Sequence, residues 1–199
     1  MKKPASIVIA SKNPHKVIEF EEAFGGTGIT VNSLANYNDV PNVDETGQTF
    51  EENATLKAQQ IMKFTGQAVI ADDSGLVVGA LNGQPGVHSA RYAGDHDDDA
   101  NNAKLLKEMQ NKSDREAYFE SVLIYLTPEG EKVKAVGRIE GQILRAPRGD
   151  NEFGYDPLFY VPAQQRTLAE MTTHDKNMIS HRGNAIRVLI RKLLELWDS

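Results

Sequence analysis

Residues 69–76 read VIADDSGL, with two adjacent aspartates directly after an apolar run. Ala68-Val69-Ile70-Ala71 has the continuous apolar character of a short buried strand, and Ser74-Gly75 reads as the turn that ends it. Two like charges side by side repel, so folding alone gives no reason for the pair. Upstream, Ser6-Ile7-Val8-Ile9-Ala10 is another continuous apolar run, the mark of a buried strand. Between the two runs, Asn13 makes a good N-cap, Pro14 suits the first helical position, and Val17, Phe20 and Phe24 form an apolar stripe. Gly25-Gly26 ends that helix. Buried strands alternating with amphipathic helices predict an α/β fold.

The rest of the chain continues the pattern. Ile29-Thr30-Val31 reads as a second strand, followed by a polar loop through Gly47. Thr49-Phe50-Glu51-Glu52 is a capping box that opens a helix from about Phe50 to Phe64. Residues 79–97, rich in glycine and polar groups, read as a long ordered loop of the functional kind. A helix follows from Asp97 to Gln110, its acids in the first turn. Residues 115–127 and 131–144 flank Pro128-Glu129-Gly130 as the clearest hairpin in the chain. Beyond it come a charged, glycine-containing loop at 146–156, a short strand at Leu158-Phe159-Tyr160, a cap at Thr167–Glu170 and a terminal amphipathic helix over 182–197. There is no repeat, low-complexity stretch or linker, so residues 1–199 read as one domain.

Composition narrows the function. The 199 residues are 40% hydrophobic and 25% charged, ordinary for a soluble globular chain. A formal net charge of −6 disfavours general binding to nucleic acid or an anionic membrane. The absence of cysteine excludes disulfides, thiolate catalysis and zinc sites of the cysteine type. The apolar stretch from Ala5 to Ala10 is too short for a signal peptide, and no run approaches the roughly 20 apolar residues of a membrane span. A cytoplasmic protein is expected.

Four stretches could carry chemistry. SKNPHK, residues 11–16, lies at a strand-to-helix junction, where N–H groups and the helix dipole favour phosphate. Lys12 and Lys16 add charge; the alternative is an ordinary N-cap with solvated lysines. The pair Asp72 and Asp73, with Glu45 and Lys57, suggests a Mg²⁺ site of one or two carboxylates completed by substrate oxygens; the alternative is a solvated turn. Alternation along a strand predicts that Asp72 and Asp73 do not fill the same ligand position. THDKNMISHR, residues 173–182, puts Lys176, His181 and Arg182 near the start of the last helix, against the dipole preference. FGYDP, residues 153–157, could stack an aromatic on a base or simply pack. By contrast DHDDDANN, residues 95–102, reads as a helix N-terminus favoured by the dipole.

These stretches, in this order, resemble the inosine triphosphate pyrophosphatase family, which hydrolyses non-canonical purine nucleoside triphosphates. The matching pieces are Ser11-x-Asn13-x-x-Lys16, Glu45-Thr46-Gly47 with Thr49-Phe50, and Glu52-Asn53-Ala54 with Lys57-Ala58. They continue with Ala71-Asp72-Asp73-Ser74-Gly75-Leu76, Gly83-x-Pro85-Gly86, Ser89–Gly94, Phe153–Pro157 and Ser180–Gly183, covering essentially the whole chain. Where that family usually carries a glycine before the Phe-Gly-Tyr-Asp stretch, this chain has Glu152.

The resemblance implies an elongated α/β fold with a long bent mixed sheet flanked by helices, and two lobes around a central substrate cleft. It further implies a homodimer and a Mg²⁺-dependent reaction in which ITP, dITP or XTP and water give the monophosphate and pyrophosphate. By the family pattern Ser11, Lys12, Asn13, Pro14, His15 and Lys16 hold phosphate, and Glu45 and Asp73 hold the metal. Asp73 is also the proposed proton acceptor, with Asp72 and Lys57 beside it in the catalytic set. Ser74, Phe153, Gly154, Tyr155, Asp156, Lys176, His181 and Arg182 would contact substrate. Competing readings are a pyrophosphatase for pyrimidine or methylated nucleotides and a nucleotide-sensing or RNA-binding module without turnover. The acidic charge disfavours RNA, and the intact set of acids and lysines disfavours a dead enzyme.

Overall fold

The computed structural model describes residues 1–94, 96–150 and 153–198, with the side chain of His15 left out. Seven strands and five α-helices make up the regular structure of those residues: β1 (Ser6–Ile9), α1 (Pro14–Phe24), β2 (Thr30–Ser33), α2 (Phe50–Thr65), β3 (Val69–Val78), α3 (Asp98–Glu108), β4 (Glu116–Leu126), β5 (Lys132–Ile143), β6 (Phe159–Val161), β7 (Arg166–Thr167), α4 (Thr173–Ile179) and α5 (His181–Trp197). The strands form one mixed sheet in the order β2-β1-β3-β4-β5-β6-β7. β1 pairs in parallel with β2 and β3, whereas β6 is antiparallel to both β5 and β7.

The chain divides into two compact units. The first holds residues 1–73, 121–137 and 183–199. In it, strand alternation sorts side chains onto two faces. Ile7, Ile9 and Ile70 pack with Phe20 and Phe24 of α1 and Ala185, Ile186, Leu189 and Leu193 of α5. Val8 and Val69 point the other way, to Ile61 of α2 and Leu34. Burial on both faces is why these strands read as unbroken apolar runs. The capping box opens α2: Thr49 Oγ1 accepts from the Glu52 amide at 3.1 Å, and the Glu52 carboxylate accepts from the amides of Gln48 and Thr49.

The second unit holds residues 74–120 and 138–182. Its core gathers Leu76, Val78, Leu105, Met109, Phe119, Ile139, Ile143, Tyr155, Leu158 and Phe159. β5 alternates buried and exposed residues along its whole length, as an antiparallel strand with one covered face should. The stretch 79–97, expected as loop, contains two short 3₁₀ turns at Gly79–Leu81 and Gly86–Arg91.

One expectation is corrected. β3 does not stop at Ala71; it runs through both aspartates and through Ser74-Gly75 to Val78. The carboxylates are accommodated there because neighbouring side chains supply partners, described below, so the strand needs no turn to expose them. The last helix starts within one residue of its expected position, and a short helix not foreseen in the sequence precedes it. Lys176 lies on α4, which ends at Ser180 in extended backbone, and His181 and Arg182 open α5.

One glycine in β5 tests this packing. A Cβ on Gly141 would stand 2.5 Å from the Tyr160 carbonyl oxygen and 2.6 Å from the Phe159 ring. Gly141→Ala should therefore lose about 1–3 kcal/mol of stability by urea unfolding, the usual cost of overpacking. A variant as stable as the parent would refute the close β5–β6 approach.

Candidate functional site

In the first unit, β1 delivers the Ser11–Lys16 junction. The Ser11 hydroxyl accepts from the Asn13 amide at 3.1 Å, and Asn13 Oδ1 accepts from the Lys16 amide at 3.4 Å, the N-cap bond expected for α1. Pro14 takes the first helical position. Ser11 and Lys12 border a pocket of about 370 Å³, together with Lys57 and an apolar wall of Leu34, Val40 and Ile61.

Alternation along β3 sends the two aspartates to opposite faces. Asp72 shares the face of Ile70 and meets α1: its Oδ2 accepts from Lys16 Nζ at 2.8 Å, and its Oδ1 accepts from the buried Ser121 hydroxyl at 2.8 Å. Asp73 shares the face of Val69 and meets α2. Lys57 Nζ donates to the Asp72 carbonyl at 3.0 Å and lies 2.5 Å from Glu45 Oε1. Burial pushes the Asp73 carboxyl up to about 6, and the Glu45 and Asp72 charges push the same way, while Lys57 and a hydrogen bond from Asn53 oppose. Asn53 also fixes the Glu45 loop, because its Oδ1 accepts from the Gly47 amide at 2.7 Å. A Cβ on Gly47 would come within 2.7 Å of Asn53 Oδ1 and Glu52 Cβ, so only glycine lets the loop lie on the start of α2.

The donor set at this point suits a hard divalent cation. Among the described residues no group of three or more histidine, cysteine or acidic side chains could hold a metal by itself. Glu45 and Asp73 nevertheless bring two carboxylates into electrostatic contact, with Lys57 interacting with both. Mg²⁺ commonly binds in this way, through one or two carboxylates plus substrate phosphate oxygens.

In the second unit, Phe153 is 62% exposed, an unusual setting for a large aromatic, and Lys176 Nζ stands 5.3 Å from its ring centroid. Gly154 has its amide and carbonyl both held by side chains of α3. Tyr155 is buried and donates its hydroxyl to the Ser89 carbonyl at 2.7 Å. Asp156 is buried and ion-paired with Lys176. Burial raises its pKa, Lys176 opposes, Asp98 adds to the rise and Arg182 opposes. His181 stacks on Phe119 with ring centroids 5.0 Å apart and planes 16° from parallel. Ser74 is half-buried within β3.

The sequence-based candidates thus gather within their units: Ser11–Lys16, Glu45, Lys57, Asp72 and Asp73 in the first, Phe153–Asp156, Lys176, His181 and Arg182 in the second. Glu152 lies outside the described residues, as does the His15 side chain. Reasoning from motifs missed Ser121 and left Asn53 without a role. The available signal for Ser121 was a lone hydroxyl inside the apolar run of β4, and for Asn53 an amide on the buried side of α2.

Known proteins place the chain in a family. The Ham1 family model matches residues 7–192. A dITP/XTP pyrophosphatase of Lactiplantibacillus plantarum is 51% identical over 199 residues, covering 99% of this chain and 98% of its own. One from an Exiguobacterium species is 48% identical, covering 94% and 96% respectively. The solved Ham1 protein of Staphylococcus aureus superposes with a TM-score of 0.90 at 44% identity, over 96% of this chain and 99% of that one. The HAM1 protein of Coxiella burnetii gives 0.91 at 43% identity, over 96% and 100%. Near-complete coverage in sequence and structure together means that the chain belongs to the Ham1 family.

Proposed function

We propose that the chain hydrolyses the non-canonical purine nucleoside triphosphates ITP, dITP and XTP to the monophosphate and pyrophosphate, with Mg²⁺, and so cleanses the nucleotide pool. The observation that carries the reading is the buried Asp73 beside Glu45 and Lys57, in a chain 51% identical to a dITP/XTP pyrophosphatase. Residues 1–199 act as one catalytic domain in this reading. A homodimer and a cytoplasmic location belong to it by resemblance; no helix among the described residues is long and apolar enough to cross a membrane.

Glu45 and Asp73 would hold the cation, which when bound offsets phosphate charge and makes water more acidic. Asp73 accepts the proton of the attacking water, and the bond between the α-phosphate and the pyrophosphate leaving group breaks. Lys57 stands beside both acids and neutralises charge that develops on the leaving oxygens. Asp72 acts through Lys16, which it holds at the start of α1, where the Ser11–Lys16 backbone suits a phosphate. In the second unit, the exposed Phe153 ring offers a stacking surface to any base, giving affinity without selectivity. Selectivity falls to donors: Arg182 and the backbone amides of Phe153 and Tyr155 suit the 6-oxo and 2-oxo acceptors of hypoxanthine and xanthine. Adenine and guanine would point an amino donor at such a donor and leave polar groups unsatisfied.

Two measurements test the reading. Asp73→Asn keeps the shape while removing charge and basicity, so kcat on ITP should fall by about 10²–10⁴-fold. The same variant should stay folded by circular dichroism, since it removes a carboxylate whose burial is unfavourable. Near-parental turnover by folded Asp73→Asn would remove Asp73 from the mechanism.

The second measurement is kcat/KM across a nucleotide panel at saturating Mg²⁺. ITP, dITP and XTP should be cleaved at least about 10²-fold more efficiently than ATP or GTP, as two unpaired polar groups would allow. Chelation of the cation should abolish pyrophosphate release. Equal values for ATP, GTP and ITP would leave a general nucleotide pyrophosphatase and overturn the base argument.

A further inference from the structure

The acidic run at the start of α3 does more than complement a helix dipole. Asp98 Oδ2 accepts from the Gly154 amide at 2.8 Å, and Asn102 Nδ2 donates to the carbonyl of the same glycine at 2.8 Å. Positions four apart share one helix face, so a single face of α3 grips both polar groups of one residue. Gly154 has a φ of 55°, where a residue without Cβ is at ease but not self-restrained. Its conformation is therefore set by what holds it.

Asn101 does the same for a second segment. Its Oδ1 accepts from the amides of Ala93 and Gly94 at 2.6 and 3.2 Å, and its Nδ2 donates to the Ala90 carbonyl at 3.3 Å. The Tyr155 hydroxyl, bonded to the Ser89 carbonyl, links the two segments directly. The helix that carries these side chains is itself firmly seated. Asp97 caps it by accepting from the Ala100 amide at 2.9 Å, and Leu105 and Met109 are buried in the core of the second unit. A dipole would be satisfied by any acid in the first turn. It asks neither for Asn102 nor for an Asp98 bond to a residue 56 positions away.

We propose that Asp98 and Asn102 are positioning residues for base recognition: by clamping Gly154 from both sides they fix the direction of the Phe153 ring and of the flanking Phe153 and Tyr155 amides that read the base. The inference rests on the functional reading above and adds to it a specificity device outside the motifs. Removing either partner loosens the loop in the unbound protein, so substrate binding must first order it, and the cost falls on KM rather than kcat. Discrimination weakens as well, because a mobile amide penalises a wrong base less.

The test uses the full chain and two readouts. Amide exchange at Gly154, followed by NMR, should accelerate at least about tenfold in Asp98→Ala, the size expected for losing one charged hydrogen bond, and stay near parental in Asp98→Asn, which keeps an acceptor. In kinetics, Asp98→Ala and Asn102→Ala should each raise KM for ITP about tenfold with kcat within about twofold, and narrow the ITP-to-GTP ratio of kcat/KM. Asp98→Asn should restore most of the loss, and Lys107→Ala, exposed on the same helix, should change nothing. Should Asp98→Ala lose its fold, Asn102→Ala carries the kinetic test alone. Unchanged Gly154 exchange in Asp98→Ala overturns the clamp, and faster exchange with parental KM and selectivity overturns the positioning role. A parental protein inactive on every purine triphosphate refutes the functional reading, and the positioning role with it, while the exchange arm still reports whether the clamp exists.

Discussion

Two neighbouring carboxylates are buried on opposite faces of one strand, and the arrangement of the first unit follows from what each face must supply. A buried ionised carboxylate without partners is expensive, so β3 can carry Asp72 and Asp73 only if both helices that cover it respond. On the α1 side, Lys16 and Ser121 take the two oxygens of Asp72. Lys16 stands in the first turn of its helix, where a cation is disfavoured by the dipole, and the ion pair with Asp72 outweighs that small penalty. On the α2 side the compensation is incomplete. Burial is what chiefly raises the Asp73 carboxyl, the Glu45 and Asp72 charges add to the rise, and Lys57, which also pairs with Glu45, offsets only part of it. A site left short of positive charge in this way is suited to a ligand that brings a divalent cation with it.

The second unit solves a different problem, that of keeping an aromatic ring in water while its neighbours are buried. Tyr155 and Asp156 are both 4% exposed, and their burial leaves Phe153, two and three residues away, at 62%. The hydrogen bonds of Tyr155 to Ser89 and of Asp156 to Lys176 satisfy the polar groups that enter the core. Lys176 thereby serves twice, since the ammonium that pairs with Asp156 also stands over the Phe153 ring. Its distance of 5.3 Å lies inside the range in which a cation and a ring attract.

Elements with a local cause were readable from the chain alone. The capping box at Thr49, the alternation of β5 and the apolar stripe of the last helix each reside in a few consecutive residues, and each appears where it was expected. The path of β3 was not readable. Charged residues ordinarily end a buried strand, and the partners that allow it to continue come from positions 16, 57 and 121, far away along the chain. The grip of α3 on Gly154 escaped notice because an acid-rich helix start already had a sufficient local explanation. A long-range role is invisible wherever a short-range one is enough.

The placement of Asp72 and Asp73 also bears on which changes a lineage can accept. Even-numbered positions of β3 up to Asp72 face α1 and odd-numbered ones face α2. Deleting one residue between Val69 and Ala71 would exchange the two faces for everything on one side of the gap. Asp72 and Asp73 would then meet the wrong helices. Exchanging a side chain at one position is a local event, whereas a frame slip of a single residue inverts the strand. Length variation among natural relatives should accordingly collect in the segment 37–44, before Glu45, and around the turn at 127–131, and the strand itself should evolve by replacement alone.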